Sequence, residues 1–269
     1  MNNYPKITIV TPSFNQAQFL ERTINSVLDQ HYPNLEYIII DGGSTDGSVD
    51  IIRGYEKKLA YWVSEPDQGQ TDAINKGLRI ATGEWITWQN SDDIFYPNAF
   101  HELALAAEKH TKAGLIIGNM MLIDENNKPL RDICYVKPSY KSLLAEGMVL
   151  TNQSAFWRRS LHEKIGLMDE NLNYGFDYEW FLRLTKNARC VHVNRQWGGF
   201  RLHSDAKTSL NQQDFDNEYK LILAGRIMPN WQKKLYKLRR ILMMLAQGNI
   251  RYVLRGLVRH ARGQGHDLY

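Results

Sequence analysis

The chain has 269 residues, of which 43% are hydrophobic and 23% charged, the balance of an ordinary soluble globular protein with one large domain or one domain and an appendage. Two cysteines, Cys134 and Cys190, exclude a disulfide framework and sit at no metal-binding spacing, which fits a reducing compartment. No apolar run of about 18 residues and no signal-peptide core is present, so neither a membrane span nor a leader is expected, and a cytoplasmic location is. The formal net charge of +4 hides an asymmetry. Between Tyr219 and His266 there are eleven Lys and Arg and no Asp or Glu, which leaves a body with 22 basic against 29 acidic residues.

In chain order, Ile7-Thr8-Ile9-Val10 reads as a buried strand, broken by Thr11-Pro12-Ser13-Phe14-Asn15. Phe19 to Gln30 has helical spacing, with Leu20, Ile24, Val27 and Leu28 on one face. Leu35 to Ile40 is a second strand, ended by Asp41-Gly42-Gly43, after which Ser44 is expected to cap a helix carrying Val49, Ile51 and Ile52. Tyr61-Trp62-Val63 reads as a strand and Asp72 to Ile80 as a helix, and Gly83 leads into the strand that ends before Asp92. This alternation predicts parallel strands with crossover helices, and residues 1–100 look like a nucleotide-binding half. The next half, 101–210, is less regular. It has a strand over Leu115 to Ile123, a turn at Asn126 to Pro129, helices over Leu161 to Ile165 and Asp177 to Thr185, and a strand over Arg189 to Val193. A boundary near Ser209 to Asp214 separates this body from a basic tail, 211–269.

The residues that carry chemistry sit at the strand ends. Ser91-Asp92-Asp93 delivers two carboxylates where open α/β sheets bind ligands, and hard oxygen ligands there suit Mg²⁺ or Mn²⁺ shared with substrate phosphates. The alternative is a turn in which Asp caps its own backbone. Asp41 stands before two glycines that permit a close backbone approach, and the alternative there is a plain strand-to-helix turn.

Taken in order, Ile9-Val10-Thr11-Pro12-Ser13-Phe14-Asn15, Ile38 to Ser48 (Ile-Ile-Ile-Asp-Gly-Gly-Ser-Thr-Asp-Gly-Ser), Asp67 to Gly77 (Asp-Gln-Gly-Gln-Thr-Asp-Ala-Ile-Asn-Lys-Gly) and Asn90-Ser91-Asp92-Asp93 resemble a family 2 glycosyltransferase over about residues 5 to 205. The resemblance implies a single Rossmann-like A-type glycosyltransferase domain, α/β with a mostly parallel central sheet. It also implies inverting sugar transfer from a nucleoside diphosphate sugar, UDP first, to a glycan or lipid-linked acceptor in bacterial polysaccharide or lipopolysaccharide assembly. Under it, Thr11, Pro12, Ser13 and Asn15 would line the nucleoside pocket, and Asp41, with Gly43 beside it, would accept a hydrogen bond from the base. Asp72 and Asn75 would lie against the nucleoside or donor sugar. Ser91 and Asp92 would face the diphosphate, with Asp92, Asp93 and His203 as candidate ligands of Mn²⁺ or Mg²⁺ and Lys207 reaching the phosphates. The family often has Asp at the place of Asn90, which favours Asp92 for direct ligation.

Inverting transfer needs a base that takes the proton of the acceptor hydroxyl. The resemblance gives this role to Asp177 in Tyr174-Gly175-Phe176-Asp177-Tyr178-Glu179-Trp180, although Phe176 replaces the family's usual Glu. The alternatives are a helix cap at Asp177 and Glu179 as the base. Gln153, Glu179 and Trp180 are candidate acceptor contacts, and Trp85, Trp88 and Trp157 are aromatic faces that serve either a ligand or the core.

The tail holds two helix-like stretches broken at Gly248-Asn249. Leu235, Leu238, Leu242 and Leu245 share a face in the first; Ile250, Val253, Leu254, Leu257 and Val258 oppose Arg251, Arg255 and Arg259 in the second. Basic amphipathic helices suit an anionic membrane surface, so a peripheral position on the inner face of the cell membrane is expected. A helical pair packed on the body is the alternative. No nucleic-acid-reading module is present. Two rival functions remain from the sequence. One is a sugar-phosphate nucleotidyltransferase, whose Gly-rich, Arg-containing loop is missing after the first strand. The other is a non-catalytic nucleotide-sugar-binding or scaffold protein.

Overall fold

A computed structural model describes residues 4–204 and 212–262. Its nine strands form one sheet: β1 Ile7–Ser13, β2 Leu35–Asp41, β3 Tyr61–Ser64, β4 Trp85–Trp88, β5 Ile94–Phe95, β6 Leu115–Ile123, β7 Pro129–Ile133, β8 Ala155–Arg158 and β9 Cys190–Arg201. Their spatial order is β3-β2-β1-β4-β8-β6-β9-β5, with β7 beside β6. Strands β1 to β4 pair in parallel, as the strand-helix alternation predicts. Beyond β4 the sheet is mixed: β8 is antiparallel to both β4 and β6, while β9 runs parallel to β6. The chain builds β1, β2 and β3 outward in one direction and then returns to add β4 on the other side of β1. The order therefore reverses between β1 and β4, and an open sheet forms its ligand crevice outside the strand ends at such a switch point.

Successive side chains on a strand face opposite ways, and the buried residues sort by that period. Ile7, Ile9, Tyr37 and Ile39 join one core with helices α1 (Ala17–Leu28) and α4 (Ala99–Lys109). Val10, Ile38 and Ile40 join the other with α3 (Gln70–Ile80) and α7 (Phe176–Asn187). Close packing of α3 on β1 requires Gly77, since a Cβ there would stand 2.3 Å from Val10 Cγ1. The remaining helices are α2 (Ser48–Gly54), α5 (Tyr140–Glu146), α6 (Arg159–Ile165), α8 (Gln212–Ile222), α9 (Asn230–Ala246) and α10 (Ile250–Ala261).

Three local expectations are corrected. The first strand does not break at Thr11 but continues through Pro12 to Ser13. Val10 O accepts from Gln89 N on the β4 side, so by alternation Pro12 faces that side too, where pairing with β4 has already stopped and no N–H is required. Ser44 caps no helix: α2 starts at Ser48 with Gly47 (φ 99°) before it, and the capping acceptor is Asp46, whose Oδ1 accepts from the Ser48 amide at 3.0 Å. The last strand, β9, runs twelve residues rather than the five expected, because the polar stretch Asn194-Arg195-Gln196 hides its period.

Candidate active site

At the switch point lies a cavity of about 870 Å³. Pro12 and Ser13 at the end of β1, Gly42 after β2, and Trp88, Asn90, Ser91 and Asp92 after β4 form one wall. Gln153 and Asp177 belong to a second wall, contributed by the later half of the chain, and Phe215, Asp216 and Tyr219 of α8 add to it. The structure thus brings Pro12, Ser13, Ser91, Asp92, Gln153 and Asp177 to one space.

Thr11, Asn15, Asp41, Gly43, Asp72 and Asn75 do not line it. Thr11 is buried, and its hydroxyl lies 3.1 Å from Tyr37 Oη. Asn15, at φ 51°, holds the loop after β2: its Oδ1 accepts from the Thr45 amide at 2.9 Å. Asp41 is wholly buried and spent on its own loop. Its Oδ2 accepts from the amides of Gly43 (3.1 Å) and Ser44 (2.9 Å) and from the Ser64 hydroxyl (2.7 Å), and its Oδ1 from the Ser44 hydroxyl (2.6 Å). Asp41 and Gly43 therefore set the loop shape rather than face the cavity. Asp72 caps its own helix start, accepting from Gln68 N at 3.1 Å, and lies 3.5 Å from Lys76 Nζ. Asn75, fully buried, staples the 168–170 segment through Met168 N and O and Glu170.

The paired carboxylates divide their work. Asp92 stays at the cavity wall, with its Oδ2 3.1 Å from His203 Nε2. Asp93 turns inward, 1% exposed, and accepts from Gln153 Nε2 (2.7 Å), Asn90 Nδ2 (3.0 Å) and the Arg201 amide (2.9 Å). Burial, and then the neighbouring Asp92 charge, push its pKa up, while those three donors pull it down. Asp93 is thus an anchor for the turn and not a cavity-facing metal ligand. Asn90 helps for the same reason: with an amide it donates to Asp93 and accepts from Gln70 Nε2 at 2.9 Å, which a carboxylate at that position would not do. Arg201, 1% exposed, clasps the turn from the far side by donating to Asp92 O at 2.6 Å.

Asp177 sits in the first turn of α7, half-buried, where burial raises its pKa to about 6 against the Tyr178 amide, which favours the charged form. A carboxylate so poised is mostly ionised at neutral pH yet more basic than an exposed one, the tuning a general base needs. The rival Glu179 is turned away and ion-paired with Arg183 Nε at 2.7 and 2.9 Å. Trp180 is fully buried in the core, 5.6 Å from the Trp157 ring. Neither lines the cavity. Of the other tryptophans, Trp85 and Trp157 are core, and Trp88 lines the cavity although only 1% exposed. The accessible aromatic face is Phe14, 59% exposed at the lip. Lys207 lies outside the described residues.

Two site residues escaped the sequence reading. Asp67 lines the cavity beside Gly42, where a Cβ would stand 2.6 Å from Asp67 Oδ2; the signal was the turn sequence Pro66-Asp67-Gln68-Gly69. Glu218 of α8 accepts from three successive amides, those of Asn173 (2.9 Å), Tyr174 (2.8 Å) and Gly175 (2.7 Å), which lead into Asp177. Its charge also raises the Asp177 pKa. No local sequence signal marks it, because the contact spans more than forty residues.

The glycosyl transferase family 2 profile matches residues 8–166. An uncharacterized glycosyltransferase of Mycobacterium tuberculosis is 33% identical over 202 residues, covering 71% of this chain and 75% of its own. One of Rickettsia typhi is 29% identical over 242 residues, covering 83% and 72%. Among solved structures, the 1–349 portion of S. aureus TarS in complex with UDP-GlcNAc superimposes with a TM-score of 0.67 at 17% identity, over 86% of this chain and 70% of that one. The mannosyltransferase PcManGT from Pyrobaculum calidifontis, in complex with GDP-Man and Mn²⁺, does so with 0.60 at 19% identity, over 99% and 81%. Both share the mixed α/β fold seen here.

Proposed function

Since this chain belongs to glycosyl transferase family 2, we propose that its cavity binds a nucleoside diphosphate sugar, UDP-sugar first, and transfers the sugar with inversion. The observation that carries this reading is that Asp92 and Asp177 line one cavity at the switch point of the sheet. The fold neighbours add support, since TarS was crystallised with UDP-GlcNAc and PcManGT with GDP-Man. In this reading Ser13, Gly42 and Asp67 meet the nucleoside and Phe14 covers it. Asp177 takes the proton of the acceptor hydroxyl as its oxygen bonds to the anomeric carbon, and the bond to the nucleoside diphosphate breaks with its electron pair leaving on the phosphate oxygen. Gln153, held by Asp93, presents its amide to a sugar hydroxyl.

Asp92 and His203 would hold a divalent cation. A carboxylate oxygen and an imidazole nitrogen 3.1 Å apart suit Mn²⁺ better than Mg²⁺. Among the described residues no group of three or more His, Cys, Asp or Glu could hold a metal alone, which fits an ion that completes its shell with diphosphate oxygens and water. When bound, such an ion supplies Lewis-acid stabilisation of the leaving charge. The acceptor class, a glycan or lipid-linked saccharide of cell-surface polysaccharide assembly, rests on the family resemblance.

The test is a thermal-shift series with UDP- and GDP-sugars, each with and without Mn²⁺, followed by detection of released nucleotide. One nucleotide should raise the melting temperature by mass action and be released from its sugar. If no nucleotide sugar stabilises or is hydrolysed by the wild-type protein, the reading is wrong.

A further inference from the structure

The basic C-terminal helices are not used by the transfer chemistry, and the structure separates their two faces. One face of α9 packs on the body. Met244 is 2% exposed, Arg240 Nε donates to Glu146 Oε2 at 2.6 Å, and Gln247 Nε2 lies 3.1 Å from His192 Nδ1. α10 is tied down by Arg255, which donates to Asp132 at 2.6 Å. These contacts leave the apolar rows pointing away from the body. On α9 the exposed large apolar residues are Trp231, Leu235, Leu238, Leu242 and Leu245, spaced four, three, four and three apart, so they form one stripe along about 21 Å of helix. On α10 they are Ile250, Leu254, Leu257 and Val258. A helical pair that merely packed on the body would bury these rows and expose its charged side. Here nine large apolar side chains remain open to solvent.

We propose that this outward face of α9 and α10 docks on an anionic lipid bilayer surface. The fringe decides the occupant. Lys233, Lys234, Lys237 and Arg239 flank the first stripe and Arg251 the second, all exposed. No Asp or Glu occurs from Tyr219 to His266. A second copy seated stripe to stripe would bring these cations together without a counter-charge, whereas an anionic leaflet matches them and accepts the Leu, Ile and Trp side chains into its interface. No helix among the described residues is long and apolar enough to cross a membrane, so the helices lie on the surface. Arg240, on the body-facing side of α9, joins the helix to Glu146, itself a cavity-lining residue.

The experiment is co-sedimentation of the full chain with vesicles of phosphatidylcholine alone or of equal parts phosphatidylcholine and phosphatidylglycerol, alongside light scattering of the free protein. The wild type should pellet with the anionic vesicles only and be released by high salt. Leu238→Asp with Leu242→Asp should abolish pelleting while leaving the thermal melt intact, since neither side chain packs on the body. Lys233→Gln, Lys234→Gln and Lys237→Gln together should weaken binding by about tenfold or more. Wild-type protein that ignores anionic vesicles overturns the proposal. So does a monomer–dimer equilibrium abolished by the Leu pair in the absence of lipid, which would make a second copy the occupant.

Discussion

The two walls of the cavity are built by different means. The strand-end wall is made locally. Asp41 is satisfied by residues within its own loop and by Ser64 of the adjacent strand, and Asn15 pins the same loop from the end of β1. The second wall is assembled from a distance: Gln153 is held by Asp93 sixty positions away, and the approach to Asp177 is held by Glu218. In the first wall the loop after β2 is closed by its own partners. The second carries Asp177, whose setting depends on another helix. If the first wall serves binding and the second chemistry, substitutions should separate the two.

The largest separation is expected from Asp177→Asn. Turnover should fall by about 10²–10⁴-fold while nucleotide-induced stabilisation is kept. Stability should move the other way. Burial raises the Asp177 pKa to about 6, so the folded state favours the proton, and the group's contribution to stability is lost as pH rises through that value. Asn mimics the protonated form, so the variant should melt higher than wild type at about pH 8 and nearly with it at about pH 4. Equal losses of binding and turnover would show that Asp177 is structural.

Asp92→Asn should remove the Mn²⁺-dependent part of nucleotide binding, by more than the roughly 10–100-fold that loss of an outer partner costs a metal site. Calorimetry with and without EDTA reads it, and a wild type that binds equally in EDTA would refute the role. Asp41→Ala comes next, as a test of the loop after β2. It strips the partners from buried amides and hydroxyls and should cost about 1–3 kcal/mol of stability, seen in denaturant melts, with nucleotide affinity falling only in step.

Glu218→Gln tests the second wall. Wild-type activity should rise with pH through about 6 as Asp177 ionises. Removing the Glu218 charge lowers the Asp177 pKa, so the acid limb of the pH–rate profile should move to lower pH, with a modest loss of kcat. An unmoved limb would limit Glu218 to holding the backbone. Glu179→Gln is expected to do least, since Glu179 is committed to Arg183. Loss of turnover there would return the base role to Glu179.

The same contrast governs what was legible in the sequence. The parallel strands β1 to β4 and the crowding of Ser91 and Asp92 at a strand end follow from period and turn residues, which are local. What could not be read is the direction each side chain takes once the turn closes. Asp41, Asp72 and Asn75 carry the expected chemistry, yet each is consumed by a backbone partner: a loop, a helix start and the 168–170 segment. Asp67 reads as a plain turn residue until Gly42 is seen against it. Likewise β5, β7 and β8 are short strands defined by partners across the sheet, and α4, Ala-rich, hides behind weak periodicity. The basic composition that marks residues 211–269 as an appendage is a statement about charge, and α8 shows that charge and packing need not share a boundary.

That last point limits how this protein can be cut and spliced. A truncation after Asp214, at the edge that composition suggests, would remove Phe215 and Tyr219 from the cavity and the Glu218 clasp from the entrance to Asp177. Such a fragment is an enzyme missing a wall rather than an enzyme missing an anchor. Gly225, at φ 70° beyond the end of α8, is a better joint. A chimera that exchanges α9 and α10 there, while α8 stays with its own catalytic loop, would keep the chemistry of one parent under the address label of another.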